Sequence, residues 1–455
     1  MPLRIPPRFD YTAELATSLY PLHNMTPSAP ENRRGSLFVI FLTVFIDLLG
    51  FGMVLPLLPI YAEEFGLKDQ GLMIGLLMSC FSIMQFLFAP VWGRVSDRVG
   101  RRPVLMVGLL GSAVFYSLFG VATLWKSLPM LFVTRIGAGI AGATISTAQA
   151  YIADSTSLKG RTKGMAIIGA AFGLGFTFGP LLGAAALLST QSIGTSPWPG
   201  YVAGVLSAVA LGLAFFMLPE SLPRESLAGG TSAGPAPAAA SHESSRFRFT
   251  AWQDAFATPT VGALLITSFI SVVAFGGFES TLSLLLKNEK YGFGFDLKKV
   301  LLVFAFIGFV LSLVQGGIVR RISGRVSEHR MALSGGVLTI VGFGLLMYAA
   351  SRVSIPWLFV AAAVEVSGFA LVTPSLQSLI SRRSDPAKQG SILGVSQSVS
   401  ALARIAAPMI ALPLRTTSST LPYSVSIVLM FLGMLLLHVA NRRGHDFVEP
   451  TSDNA

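Results

Sequence analysis

Charge is scarce in this sequence. Asp, Glu, Lys and Arg make up 12% of the 455 residues, about half of what a soluble domain carries. Cysteine is nearly absent: Cys80 is the only one, so a disulfide framework and a cysteine zinc site are both excluded. The five histidines, His23, His242, His329, His438 and His445, fall in tails, loops or span ends without metal-ligand spacing. No G-x-S-x-G nucleophile elbow and no GK[ST] phosphate loop occurs, so the usual hydrolase and nucleotide-driven chemistries have no seat. Neither an enzyme nor a bound cofactor is expected. Residues 1–36 lack the apolar core of a signal peptide and are rich in proline.

Apolar residues are abundant, at 52% of the chain. A bilayer core of ~30 Å needs about 20 apolar residues per helix. Twelve stretches meet this, at 37–61, 72–93, 103–125, 128–153, 164–188, 198–218, 260–286, 299–319, 331–351, 355–380, 389–412 and 421–440. They are numbered spans 1 to 12 below. The expected fold is an all-α membrane protein of two six-helix bundles, 37–218 and 257–441. A flexible linker, 219–256, contains AGGTSAGPAPAAASHESS. The tails are 1–36, read as disordered, and 442–455.

Placing both ends on one side gives that side 23 of the 33 Lys and Arg residues, against eight on the other and two inside spans. This bias puts the basic face and both termini in the cytoplasm. The net charge of +11 is spread over seven segments rather than gathered on one face, so it does not describe a nucleic-acid site. The halves also repeat weakly. FIDLLGFG (45–52) aligns with FISVVAFG (269–276) at an offset of 224, and Gly93 falls on Gly317 at the same offset. Parallel repeats of this kind are a recurring transporter plan, with the site between the halves.

One stretch concentrates charge between two uncharged runs: GRVSDRVGRR, residues 93–102. Its arginines serve topology. Topology does not require Gly93, Asp97 and Gly100 at set spacings. The stretch resembles the loop 2–3 signature of the major facilitator superfamily, G-x-x-x-D-R-x-G-R-R/K, through Gly93, Asp97, Arg98, Gly100, Arg101 and Arg102. Span 1, DLLGFGMVLPLLP (47–59), looks like the opening helix of twelve-span drug/proton antiporters, tetracycline exporters above all. FESTLSLL (278–285) and ALARIAAP (401–408) are similar to segments of the eukaryotic tetracycline-transporter-like branch. GFTFGPLLGA (175–184) resembles the span-5 antiporter motif through Gly175, Gly179, Pro180 and Gly183, with Ala184 and Ala166 replacing two of its glycines.

The resemblance implies the major facilitator fold and alternating access. It makes GRVSDRVGRR a gate, with Asp97 facing the start of a helix in the second half when the basic side closes. It links Arg135 of span 4 to proton transfer. Independently, an ionisable group inside a span is costly and marks function. Asp47, Glu279, Glu365, Arg135 and Arg404 are such groups, expected to pair among themselves and to couple protons or substrate. For Asp47 a structural hydrogen-bonding role is the rival reading, and for Glu279 snorkelling to water is. Gln85, Gln149, Tyr151, Gln377 and Gln397 are further polar groups in reach of a substrate.

The expected function is export of a small amphipathic compound, tetracycline-like, in exchange for protons. The protein is read as a monomer whose partners are the substrate, protons and lipid. A bacterial source would place it in the inner membrane. A facilitator or proton symporter for a small metabolite is the alternative on the same fold, and a non-transporting receptor or scaffold is the alternative of another class.

Overall fold

A computed structural model describes residues 33–156, 161–187, 195–222, 252–253, 255–257, 259–289, 292–384 and 389–443. Most of the expected tails and linker lies outside these residues. Twelve helices are long and apolar enough to cross a membrane: Leu37–Val54, Gly71–Val99, Arg101–Leu124, Leu128–Asp154, Ile168–Ala186, Trp198–Met217, Thr260–Lys287, Leu297–Ile322, Glu328–Arg352, Ile355–Arg382, Ile392–Thr417 and Leu421–Arg443. They match the twelve expected spans one for one.

Three boundaries differ for physical reasons. Span 1 stops at Val54 rather than 61, and a short helix, Leu58–Ala62, follows. Residues 55–57 form a turn between the two helices, and Pro56 within it has no N–H to give to the ladder. Span 4 breaks between Gly142 and Ile145, where Thr144 returns its hydroxyl to the Ala141 carbonyl. The third difference concerns the charged stretch. Span 2 runs as a helix through Val99, and the next helix begins at Arg101. The expected loop is therefore one residue, Gly100, at φ +108°, a backbone conformation that costs a side-chain-bearing residue dearly.

The internal repeat is real at the level of contacts. Gly52 of span 1 sits against span 5, and a Cβ there would lie 2.7 Å from the Gly175 carbonyl oxygen. Gly276, its mate at offset 224, sits against Ala407 of span 11. Between the halves, span 2 lies on span 11 through Gly71 and Gly75, as span 8 lies on span 5 through Gly308. Gly175, Gly179 and Gly183 of span 5 form one face against Leu48, Leu49 and Met53 of span 1. The close approach is what glycine at every fourth position permits. Pro180 leaves the helix continuous over Arg161–Ala186. A Cβ on Gly179 would come within 2.7 Å of the Leu49 carbonyl oxygen, and backbone cannot retreat. Gly179→Val should cost about 1–3 kcal/mol by overpacking. It is expected to lower the thermal midpoint of the purified protein, while Gly169→Val, with nothing within 4 Å of its Cβ position, leaves it unchanged.

Candidate functional site

At the basic face the charged stretch is bound into its own half. Glu220, just past span 6, accepts from the backbone N–H groups of Arg101 (2.9 Å) and Arg102 (3.1 Å). A carboxylate thus caps the exposed amide end of span 3, where the helix dipole favours negative charge. Arg101 is buried and serves as the hub. Its guanidinium reaches Asp97 at 2.6 Å, Asp154 of span 4 at 3.1 Å and the Ser96 hydroxyl at 2.7 Å. Arg102 donates to the Phe215 carbonyl. Asp97 itself stays 56% exposed. Among the described residues the expected contact with a second-half helix is not made: Asp97 pairs with Arg101 one turn on, and nothing lies within 4 Å of a Cβ at Gly93. Arg98 is exposed, as are Arg320 and Arg321 across the gap.

The opposite face is closed. Glu63, after the short helix, pairs with Arg415 at the end of span 11 at 2.8 Å. Glu64 pairs with Lys287 at the end of span 7 at 3.3 Å. Deeper in, the Ser79 hydroxyl of span 2 donates to the Ile405 carbonyl of span 11 at 2.7 Å. These links join the two halves at the non-basic end and the middle. The halves are thus tied together at the non-basic end, while Asp97 is held within its own half. The buried Cys80 lies next to the Ser79 seal. Partly exposed ion pairs of this type contribute about 1 kcal/mol or less each. Removing both with Arg415→Ala and Lys287→Ala should raise maleimide labelling of Cys80 from the non-basic face about fivefold or more. Unchanged labelling would show that the pairs do not hold this side shut.

The intramembrane charges divide differently from expectation. Asp47 accepts from the Ser207 hydroxyl of span 6 at 3.2 Å and from Ser112 of span 3. It ties three helices of the first half together and meets no arginine within ion-pair reach. Arg135 is 2% exposed and also lacks an acidic partner among the described residues. Its guanidinium instead lies 4.7 Å from the Phe81 ring centroid and 6.0 Å from that of Phe51. The negative ring faces offset part of the charge, and its Nε has no hydrogen-bond partner. Glu365 is 1% exposed, and neither carboxyl oxygen has a partner. It stands where span 10 crosses Gly342 of span 9.

Among the described intramembrane charges, Glu279 and Arg404 are the opposite pair within electrostatic reach of one another. Each is the opposite charge acting on the other, yet they do not close to ion-pair distance. Arg404 is exposed although it lies mid-span. On its helix Leu402 and Ile410 are the exposed apolar pair. At ~100° per residue Arg404 is turned about 200° from Leu402, away from the lipid side. Gln397, two turns nearer the basic face, is exposed on the same side of this helix, and Gln149 of span 4 and Gln377 of span 10 are exposed as well. A polar cleft open toward the basic face accounts for all four. Gln85 and Tyr151 are occupied otherwise: the Gln85 amide donates to the Gly142 carbonyl, and the Tyr151 hydroxyl to that of Pro219. Among the described residues no group of three His, Cys, Asp or Glu is placed to hold a metal ion.

Several participants were not legible in the sequence. Glu220 and Asp154, which hold the charged stretch, and Glu63, Glu64, Lys287 and Arg415, which close the far side, are ordinary-looking loop and helix-end charges. Only their juxtaposition in space marks them.

Comparison with known proteins places this geometry. A family model described as Major Facilitator Superfamily matches residues 40–408. Human major facilitator superfamily domain-containing protein 10 is 32% identical over 438 residues, covering 86% of this chain and 88% of its own length. The class C tetracycline resistance protein of Escherichia coli is 30% identical over 387 residues, covering 85% and 91%. The crystal structure of the human organic anion transporter MFSD10 (TETRAN) superposes with a TM-score of 0.65. It is 27% identical and covers 89% of this chain and 99% of that one.

Proposed function

The chain belongs to the major facilitator superfamily, and from that membership we propose that this multi-pass membrane transporter exports small amphipathic organic compounds in exchange for protons. The observation that carries the reading is that spans 7 and 11, packed together through Gly276–Ala407 and Gly277–Ala411, bring the opposite charges Glu279 and Arg404 into the bundle without an ion pair between them. An acid and a base that approach without joining can each be claimed by a ligand. Glu279 can hold a proton or help hold a substrate, and that exclusivity is what exchange requires. The tetracycline resistance relatives and the organic anion transporter support an ionisable, amphipathic substrate.

In the proposed cycle the basic face lies in the cytoplasm. Substrate enters the cleft from there and settles between the halves as Glu279 gives up its proton. The halves rock. The Asp97 stretch closes against the second half, and the Glu63–Arg415 and Glu64–Lys287 pairs part. Substrate leaves, a proton takes Glu279, and the protein returns. Arg404 keeps its charge throughout, as a guanidinium does. No resident cofactor takes part. Uptake of tetracycline-type compounds into inverted membrane vesicles tests this. A pH gradient, acid inside, should drive uptake. Uptake indifferent to that gradient for every compound tried overturns the exchange reading.

A further inference from the structure

Spans 3 and 6 leave a groove open on the outer surface of the first half. Its part nearer the basic face has a volume of about 540 Å³ and is lined by apolar residues alone. Met106 and Leu110 of span 3 and Leu211 and Phe215 of span 6 flank it, with the small residues Ala208 and Gly212 between. Ala208 continues it into a second, mostly apolar stretch that reaches Val121 and Tyr201. From Pro103 to Val121 the groove follows span 3 for roughly 27 Å at ~1.5 Å per residue, close to the ~30 Å of a bilayer core. The groove is a property of this sequence and not of the fold. Nothing lies within 4 Å of a Cβ at Gly212, so a side chain there would enter the open slot. With Pro199 aligned on Pro422 of the second half, Phe431 and Leu435 stand where Ala208 and Gly212 leave room.

Arg102 stands at the basic end of the slot. Its guanidinium lies 6.0 Å from the Phe215 ring centroid and donates to the Phe215 carbonyl. No carboxylate among the described residues forms an ion pair with it. Glu220 accepts from the backbone N–H groups of Arg101, Arg102, Ser221 and Leu222, and Asp97 and Asp154 pair with Arg101. The Arg102 Nε has no acceptor either. An uncompensated cation thus closes one end of an apolar slot as long as a lipid tail region.

We propose that this groove seats an anionic phospholipid from the leaflet at the basic face: one acyl chain lies over Gly212 and Ala208, and the phosphate pairs with the remaining amino N–H groups of Arg102. Arginine and phosphate make strong, charge-assisted hydrogen bonds, and basic residues beside a membrane draw anionic lipid. A wholly apolar occupant would leave Arg102 unpaired. A zwitterionic lipid brings its own cation to the phosphate and gains less. Gly204, Ala208 and Gly212 recur every fourth residue, as on a helix-pairing face. A symmetric second copy on that face would bring two Arg102 groups toward each other with no acid between them. The site lies outside the central region and is independent of the exchange reading.

The test is native mass spectrometry of the purified full chain, delipidated in detergent and given equal amounts of dioleoyl phosphatidylglycerol and dioleoyl phosphatidylcholine. The first bound lipid should be phosphatidylglycerol by about fivefold, the gain expected for one arginine at a lipid surface. Arg102→Gln should bring the two lipids to parity. Arg98→Gln, at the exposed end of span 2, should keep the preference. Gly212→Trp should fill the slot and cut retention of phosphatidylglycerol about fivefold or more, with the lipid-free melting midpoint not lowered. Glycerol 3-phosphate in large excess should not displace the lipid. Equal binding of the two lipids to the wild-type chain overturns the proposal, without relying on any variant to fold. So does a preference that survives Arg102→Gln or falls equally in Arg98→Gln. Displacement by glycerol 3-phosphate would mark a soluble phosphate site and overturn it too. Dimers that Gly212→Trp dissociates would give the groove to a second copy and reject the lipid.

Discussion

Glutamine at position 279 is expected to abolish uphill transport while leaving downhill flux. A one-unit pH gradient supplies ~1.4 kcal/mol per proton, so exchange of one proton per substrate sustains about tenfold accumulation per unit. Glu279→Gln fixes the carboxyl in a neutral form that neither takes nor gives a proton. Accumulation in proteoliposomes should fall to the level outside, whatever gradient is imposed. Arg404 then loses its opposing charge but remains open to the cleft, so the chain has no new buried, unpaired charge to resolve by unfolding. Glu365 supplies the contrast. It is sealed from the cleft, and its oxygens have no hydrogen bond to lose. Glu365→Gln should therefore keep most of the accumulation. Full accumulation in Glu279→Gln, or its loss in Glu365→Gln alone, would move the proton site to span 10.

Asparagine at position 97 should stop the cycle without weakening substrate binding in the state described here. In this state Asp97 makes one pair, to Arg101, and is 56% exposed. An exposed pair contributes about 0–1 kcal/mol, so folding should barely register the change. Arg101 keeps Asp154 and Ser96 as partners. The loss falls on the other state, where the basic face must close and Asp97 meets the second half. If that contact contributes about 2 kcal/mol as a charge-assisted bond, the closed state becomes some thirtyfold rarer. Flux should drop by at least about tenfold, with the dissociation constant for substrate unchanged. Unimpaired flux would mean that the stretch serves topology alone.

The span count, the two halves and the repeat were legible because each rests on a long-range average: hydropathy over about 20 residues, or a fixed offset. FIDLLGFG and FISVVAFG share little, yet Gly52 and Gly276 occupy equivalent contacts with spans 5 and 11. The spacing of Gly175, Gly179 and Gly183 likewise specified one packed face. Short-range geometry was harder. GRVSDRVGRR looks like a loop because charge in a membrane protein usually marks one. The helix nevertheless runs to Val99, because its last turns leave the bilayer and nothing in them breaks it. Pairing was the least legible. Five intramembrane charges suggested mutual salt bridges. Two serines satisfy Asp47 and two phenylalanines take Arg135, and single hydroxyls and rings carry no sequence mark of such roles. Only Glu279 and Arg404 were left to each other.

The most direct test of the account is proton movement driven by substrate alone. Proteoliposomes are prepared with equal pH on both sides, a pH-sensitive dye inside, and tetracycline added outside. As substrate runs inward down its gradient, exchange predicts that protons run outward and the lumen becomes alkaline. Glu279→Gln should allow the same substrate entry with no pH change. Acidification of the lumen, or wild-type substrate entry with no proton movement, would contradict the account.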